Sequence, residues 1–145
     1  MKEKFKKAYM QTAEIFAELS HAVRLKVGAI IVKEGRIISI GYNGMPEGWD
    51  NCCEYSSPRG ELFTNPEVLH AESNAITKLA KSSESGEGAA LFVTRSPCLE
   101  CAKLIHQSGI TEVYYSDDYR KADGVDFLIK CNIHVEQING NHTAI

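Results

Sequence analysis

The sequence predicts an α/β domain in which one sheet is covered by helices. Three observations carry that reading. Five short apolar runs, VGAIIVK (27–33), RIISIGY (36–42), ALFVT (90–94), EVYYS (112–116) and IHVEQI (133–138), have the composition of strands. Segments with helical spacing fall between them, giving the order α-β-β-α-β-α-β-α-β without an internal repeat. The chain has 145 residues, 43% hydrophobic and 24% charged, enough for a sizeable core in a single domain over 1–145.

The elements follow in order. Phe5, Tyr9, Thr12, Phe16 and Leu19 recur at helical spacing, so residues 3–19 should form an amphipathic helix, with Lys2, Lys4, Lys6 and Lys7 on its wet face. Glu34-Gly35 should turn a hairpin between the first two strands. Residues 43–66, rich in Gly, Pro, Asn and Ser, read as a long loop. Asn65-Pro66 signals a helix start, and apolar positions 69, 76 and 79 carry the pattern to about Ala80. SSESGEG (82–88) connects to the strand at 90–94. Ser96-Pro97 has the form of an N-cap followed by proline at the first helical position, and the helix it opens should stop at Gly109. A further helix is expected near 123–131.

Composition also excludes classes of function. Sixteen basic against nineteen acidic residues give −3, which offers no footprint for a stable nucleic-acid partner. The start, MKEKFKKAYM, has no apolar signal region, and VGAIIV (27–32) is too short to span a bilayer. A cytoplasmic, reducing setting without a membrane partner is expected, and there a Cys-x-x-Cys pair reads as metal or redox before disulfide.

The chemistry concentrates in two stretches. SPCLEC (96–101) sets Cys98 and Cys101 on one side of a first helical turn, where the helix dipole favours thiolates. Alone, this pair leaves three options: a redox pair, half a metal site, or core packing. LHAESNAI (69–76) offers His70 as a nitrogen ligand and Glu72 as a carboxylate. Two thiolates and a neutral imidazole hold Zn²⁺ at a net charge near zero, leaving a fourth position for water, the arrangement of a catalytic site. Glu72 is then the candidate to move that water's proton. One difficulty is geometric, since residues i and i+2 point to nearly opposite sides of a helix. It resolves if the metal lies at the helix end, so LHAES should open the helix proper, with an irregular turn at Asn65-Pro66 before it.

His70-x-Glu72 followed by Pro97-Cys98-x-x-Cys101 has the H-x-E…P-C-x-x-C form of zinc-dependent nucleobase deaminases. On these residues the chain resembles the cytidine and deoxycytidylate deaminase superfamily, and within it the deoxycytidylate (dCMP) deaminases, phage and viral members included. RLKVGAIIVKEGRIISIGYNGMPEG (24–48), LFVTRSPCLECAKLIHQSGITEVYYSDDY (91–119) and the closing IHVEQI extend the likeness over most of the domain. The resemblance implies a three-layer α/β/α domain with a mixed five-stranded sheet and hydrolysis of dCMP to dUMP. It also implies homo-oligomers, often hexamers, and control by dCTP as activator and dTTP as inhibitor, with Mg²⁺ accompanying the triphosphate. His70, Cys98 and Cys101 match the zinc ligands, Glu72 the proton shuttle, and Asn43 an asparagine that holds the substrate near sugar and base.

Further substrate contacts are expected at Ala71 and Ser96, beside the ligands. Arg24 and Lys26, ahead of the first strand, are candidates for a 5′-phosphate. Asn43-Gly44 also reads as a turn needing positive φ. Cys52, Cys53 and Cys131 are expected as free or partly buried thiols. Of Tyr114, Tyr115 and Tyr119, one is expected against the substrate and the others in the core. The same chemistry on another nucleoside, nucleotide or tRNA base is one alternative. A zinc-stabilised binding module or thiol redox protein is the other, though it leaves Glu72 beside His70 without a purpose.

Overall fold

Glu34 and Gly35 both adopt positive φ, 52° and 74°, as a two-residue type I′ hairpin turn requires. They join β1 (Gly28–Lys33) to β2 (Arg36–Tyr42) in an antiparallel pair. The computed structural model describes residues 1–138, so residues 139–145 of the expected domain lie outside the described residues. β3 (Glu54–Ser56) and β4 (Leu62–Thr64) form a separate two-stranded hairpin. β5 (Ala90–Arg95), β6 (Glu112–Asp117) and β7 (His134–Gln137) extend the main sheet in the order β2-β1-β5-β6-β7. β1 and β5 are antiparallel, whereas β5, β6 and β7 run parallel, so the five-stranded sheet is mixed.

The sheet sits between two layers of helix, α1 (Glu3–Ala17) on one side and α2 (Ala71–Leu79), α3 (Leu99–Gln107) and α4 (Asp123–Lys130) on the other. Strand alternation divides the core accordingly. Ala29, Ile31, Leu91, Val93 and Val113 pack with Ala71, Ala75, Ala102, Ile105 and Leu128. Ile30, Val32, Ala90, Phe92 and Tyr114 pack with Met10 and Ala13 of α1. Because both faces are covered, β1 and β5 read as continuous apolar runs rather than alternating ones.

Three differences from the sequence reading have physical causes. The first helix buries Lys6, Met10, Ala13 and Ala17, one position on from the predicted stripe, and Phe5 and Leu19 are exposed. Gly28 explains the shift, since a Cβ there would lie 2.0 Å from Ala13 O. The helix backbone therefore rests on the strand at Ala13 and Ala17, with Met10 and Lys6 continuing the contact line toward its N-terminus. Lys6 is consequently not on the wet face. Its Nζ lies 3.1 Å from Glu136 and 3.1 Å from Glu3, and 5.4 Å from the ring centroid of Tyr114.

The second difference is the β3–β4 hairpin inside the expected long loop. Its strands are three residues each and largely exposed, so hydrophobic periodicity does not mark them. The cross-strand stack of Tyr55 on Phe63, with centroids 5.6 Å apart, and the turn glycine Gly60 at φ 82° hold it. The third concerns the start of α3 and belongs to the site.

Candidate active site

His70 and Cys98 both occupy the N-cap position of a helix, α2 and α3 respectively. Their backbones are extended, with φ/ψ of −76°/153° and −71°/169°. The His70 carbonyl accepts from Asn74 N at 3.0 Å and the Cys98 carbonyl from Ala102 N at 2.9 Å, the first bonds of each helix. Neither side chain turns back to cap its own helix. They point toward each other, with His70 Nδ1 3.7 Å from Cys98 Sγ and 3.3 Å from Cys101 Sγ. Cys101 sits in the first turn of α3 and Glu72 in the first turn of α2.

This placement answers the spacing question. His70 lies outside the helical backbone that makes residues i and i+2 diverge, so it and Glu72 both border one space at the mouth of α2. The turn before it is irregular as expected, with Val68 N donating to Asn65 O. Leu69 and Gly44 then exchange two backbone hydrogen bonds, at 2.8 and 3.1 Å, which clamp His70's neighbour to the end of β2.

Two glycines set the helices in place. At Gly41 of β2 a Cβ would lie 2.3 Å from Ala71 O, so α2 can approach the strand only because no side chain intervenes. At Gly124 of α4 a Cβ would lie 2.1 Å from Pro97 O, so α4 backs directly against the turn that carries Cys98. Ser96 does not cap α3. Its N–H donates to Asp117 O at 2.8 Å and its hydroxyl accepts from Tyr119 N at 2.6 Å. These bonds tie the end of β5 to the segment after β6, and the helix begins two residues later than its Ser-Pro signal indicates.

The electrostatics are those of a partly buried charged cluster at two helix N-termini. The Cys98 thiol is held down to about 4 by hydrogen bonds from Cys101 and then from His70. Cys101 is pushed up by its bond to the Cys98 sulfur and by burial. His70 is raised, because the bond to Cys98 outweighs the cost of burial. Burial pushes Glu72 up to about 7, against the opposing effects of a backbone hydrogen bond and His70; its side chain lies in a residue only 5% exposed.

Among the described residues, His70, Cys98 and Cys101 form the group whose ligand atoms, all within 4.8 Å of one another, could hold a metal ion. Zn–N bonds of about 2.0–2.1 Å and Zn–S bonds of about 2.3 Å, at tetrahedral angles, place ligand atoms about 3.6 Å apart. The observed 3.3 and 3.7 Å separations bracket that value, and one nitrogen with two sulfurs is a zinc donor set.

The cluster borders a cleft of about 300 Å³. Arg24, Asn43, Ala71, Glu72 and Ser96 line it, as do His70 and Cys98. Lys26 does not. Glu54 holds a bend at residues 23–24 through the N–H groups of Val23 and Arg24, and Lys26 lies beyond the bend as an exposed residue. Asn43 has no positive φ, so Asn43-Gly44 is not the turn expected there. Its amide instead accepts from Val27 N and donates to Leu25 O, both at 2.9 Å, splinting the chain ahead of β1. One amide hydrogen and one lone pair remain for a ligand.

Of the three tyrosines Tyr114, Tyr115 and Tyr119, it is Tyr119 that lines the cleft; Arg95 and Arg120 line it too, and nothing in the sequence distinguishes those two from surface residues. Tyr114, by contrast, is a core residue stacked on Phe92 at 4.7 Å. Ser73 donates to the His70 carbonyl at 3.0 Å. All five cysteines are free, with Cys53 buried, Cys131 half-buried and Cys52 exposed.

Residues 3–117 match the family model described as the cytidine and deoxycytidylate deaminase zinc-binding region. The chain belongs to this deaminase family. The match takes in His70, Glu72, Cys98 and Cys101, so the ligand cluster and the buried carboxyl lie within the family's own zinc-binding region. The deoxycytidylate deaminase of phage T4 is 35% identical, over 90% of this chain and 86% of that protein. The human deoxycytidylate deaminase is 42% identical over 79% of this chain and 66% of its own. A dCMP deaminase from the cyanophage S-TIM5, solved in complex with dCMP and dUMP, is 51% identical and superposes with a TM-score of 0.89, covering 95% of this chain and 99% of that one. The mixed sheet and four helices are those of these deaminases. No helix of the described residues is long and apolar enough to cross a membrane.

Proposed function

We propose that this protein hydrolyses dCMP to dUMP and ammonia in the cleft bounded by α2 and α3. The observation that carries the reading is Glu72, a buried carboxyl pushed up to about 7, bordering the same space as His70 and Cys98. The likeness to the cyanophage enzyme, solved with dCMP and dUMP, supports the choice of substrate and product.

His70, Cys98 and Cys101 would hold the zinc. When bound, it supplies a Lewis acid that makes water acidic enough to attack near neutral pH. Glu72 accepts the proton that the attacking water loses and passes it to N3 of the cytosine while C4 gains its new C–O bond. The second proton, from the new hydroxyl, travels through Glu72 to the exocyclic amine. The C4–N bond then breaks, ammonia leaves and the C4 carbonyl of dUMP remains. Burial holds the Glu72 carboxyl above the usual carboxylate range, which suits a group that takes up a proton and then gives it back. Asn43 uses its remaining amide capacity on the sugar and base, with Ala71 and Ser96 forming wall on either side. Arg24, Arg95 and Arg120 give the cleft lining the cationic character that a 5′-phosphate needs.

The family resemblance alone supports the finer parts of the proposal: a homo-oligomer, hexameric by preference, activation by dCTP and inhibition by dTTP with Mg²⁺, and a cytoplasmic location. Sedimentation of the purified protein and assays with each triphosphate test the first two.

For the reaction itself, the purified protein should contain at least one zinc per chain and convert dCMP to dUMP with release of ammonia. Zinc without deamination of any nucleotide overturns the reading in favour of a binding module.

A further inference from the structure

We infer that Asn74 is a positioning residue for the deamination step. It fixes the helix that carries His70 and Glu72 in register with the strand end that carries Asn43. The inference rests on the deaminase reading above, and Asn74 itself lies outside the cleft lining.

β2 is an edge strand of the main sheet, and among the described residues it pairs with β1 alone. The carbonyls on its outer side therefore have no strand to bond, and α2 takes two of them with side chains. Asn74 Nδ2 donates to Tyr42 O at 2.8 Å, and Lys78 Nζ donates to Ile40 O at 2.6 Å. In the other direction Ser39 Oγ donates to Ala75 O at 2.6 Å. The missing side chain at Gly41, where a Cβ would also lie 3.1 Å from Asn74 Cβ, lets these short side chains reach.

The two donors on this seam differ in what adjoins the carbonyl each one holds. Tyr42 ends β2, and Asn43 and Gly44 follow it directly. The backbone N–H of Asn74 meanwhile bonds the His70 carbonyl at 3.0 Å. One residue thus holds the metal-ligand turn with its backbone and the neighbour of Asn43 with its side chain. Together with the two bonds between Gly44 and Leu69, this closes a ring of hydrogen bonds joining 42–44 to 69–74. Lys78 lies one turn farther along α2 and holds Ile40, outside that ring.

The ring fixes a relation that the reaction needs. Asn43 holds the sugar and base, and Glu72 must meet N3 and the exocyclic amine of that same base. Asn43 keeps its own anchors, Val27 N and Leu25 O, whether or not Asn74 is present. Loss of the Asn74 donor should therefore leave substrate and zinc bound while loosening the alignment between base and Glu72. A displacement of about 1 Å at reacting groups can cost about 10²-fold in rate.

The test compares Asn74→Ala and Asn74→Leu with Lys78→Met, which removes the same kind of bond from the same seam. All are assayed as full-length, zinc-loaded protein. Both Asn74 variants should lose about tenfold or more in kcat, with KM for dCMP and zinc content unchanged. Lys78→Met should keep its kcat even where its unfolding midpoint falls as far as theirs. Hydrogen exchange supplies a readout free of catalysis. The Gly44 and Leu69 amides, which bond each other's carbonyls, should exchange faster in the Asn74 variants and at the unmodified rate in Lys78→Met. An unchanged kcat in the Asn74 variants overturns the inference and leaves the deaminase reading standing. So does an equal loss of kcat in Lys78→Met, or a loss in the Asn74 variants without faster exchange at Gly44 and Leu69. If the unmodified protein deaminates no nucleotide, the deaminase reading fails and the role of Asn74 fails with it.

Discussion

Close backbone approaches seat helices on both faces of the sheet, at Gly28 under α1 and at Gly41 under α2, but the two faces turn different parts of their helices toward the strands. On one, α2, α3 and α4 lay small residues, among them Ala71, Ala75 and Ala102, against alternate strand positions. Close backbone approaches at Gly41 and Gly124 seat these helices. On the other, α1 lies along its flank, over the ring series of Tyr9, Phe92 and Tyr114, with Lys6 drawn into a contact with Glu136. The first face turns two helix N-termini toward the ends of strands, where unpaired N–H groups and the positive ends of helix dipoles favour thiolate and carboxylate. The second offers a helix flank, which satisfies its own hydrogen bonds and stabilises no foreign charge. Both faces bury charged groups, but only the one built from helix ends arranges them around a cleft.

Changes on the two faces should therefore separate in kind as well as in size. On the site face, Glu72→Ala should lower kcat by about 10²–10⁴-fold while zinc content and fold persist. Steady-state kinetics with metal analysis checks this, and normal turnover in the variant would remove Glu72 from the mechanism. The next effect concerns the support of the site. Gly124→Ala places a Cβ 2.1 Å from Pro97 O and 2.8 Å from Cys98 C, so the turn bearing Cys98 must shift. A loss of about 1–3 kcal/mol in stability is expected, with weaker retention of zinc. Unfolding curves and competition with a chelator read both, and wild-type zinc retention would show that α4 does not hold the ligand turn.

The smallest effect belongs to the α1 face and should leave turnover alone. Burial pushes the Glu136 carboxyl up, but hydrogen bonds from Lys6 and His134 win and hold it below its usual value of 4.5. Lys6 is raised above 10.5 by its bonds to Glu136 and then Glu3. A depressed carboxyl contributes stability above its unfolded value and loses it as pH falls through the folded one. A raised lysine contributes below its unfolded value and loses it as pH rises through the folded one. The stability gap between the unmodified protein and Glu136→Gln should accordingly be widest between about pH 5 and pH 10 and close on either side. Urea titrations across that range at fixed zinc measure it. A gap independent of pH would mean that packing, not charge, joins α1 to β7.

How much of this was legible beforehand depends on how far apart in the chain the deciding residues lie. The β1–β2 hairpin was readable because Glu34-Gly35 and the flanking runs are contiguous. The cluster was readable because each ligand-bearing turn is a local motif, His70-Ala71-Glu72 in one and Pro97-Cys98-Leu99-Glu100-Cys101 in the other. The buried stripe of α1 was misread by one position because it depends on Gly28, outside the helix altogether. Ser96-Pro97 carried a local cap signal, but Asp117 and Tyr119 take both hydrogen-bonding groups of Ser96, and the cap passes to Cys98. Arg95 and Arg120 had no signal at all, since cleft lining is a property of assembled segments.

By itself, then, the amino-acid sequence marked the five strands and four helices of the main fold, and the His70, Cys98 and Cys101 donor set with the carboxyl of Glu72 beside it. Those depend on residue type and on spacing within a turn, and both survive any packing that lets the helices form. The tertiary structure alone decided which face of α1 is buried, that Lys6 leaves solvent, and that the hairpin at 54–64 grips Arg24 beside the cleft. These rest on contacts between residues tens of positions apart, whose energies exist only once the chain has brought them together.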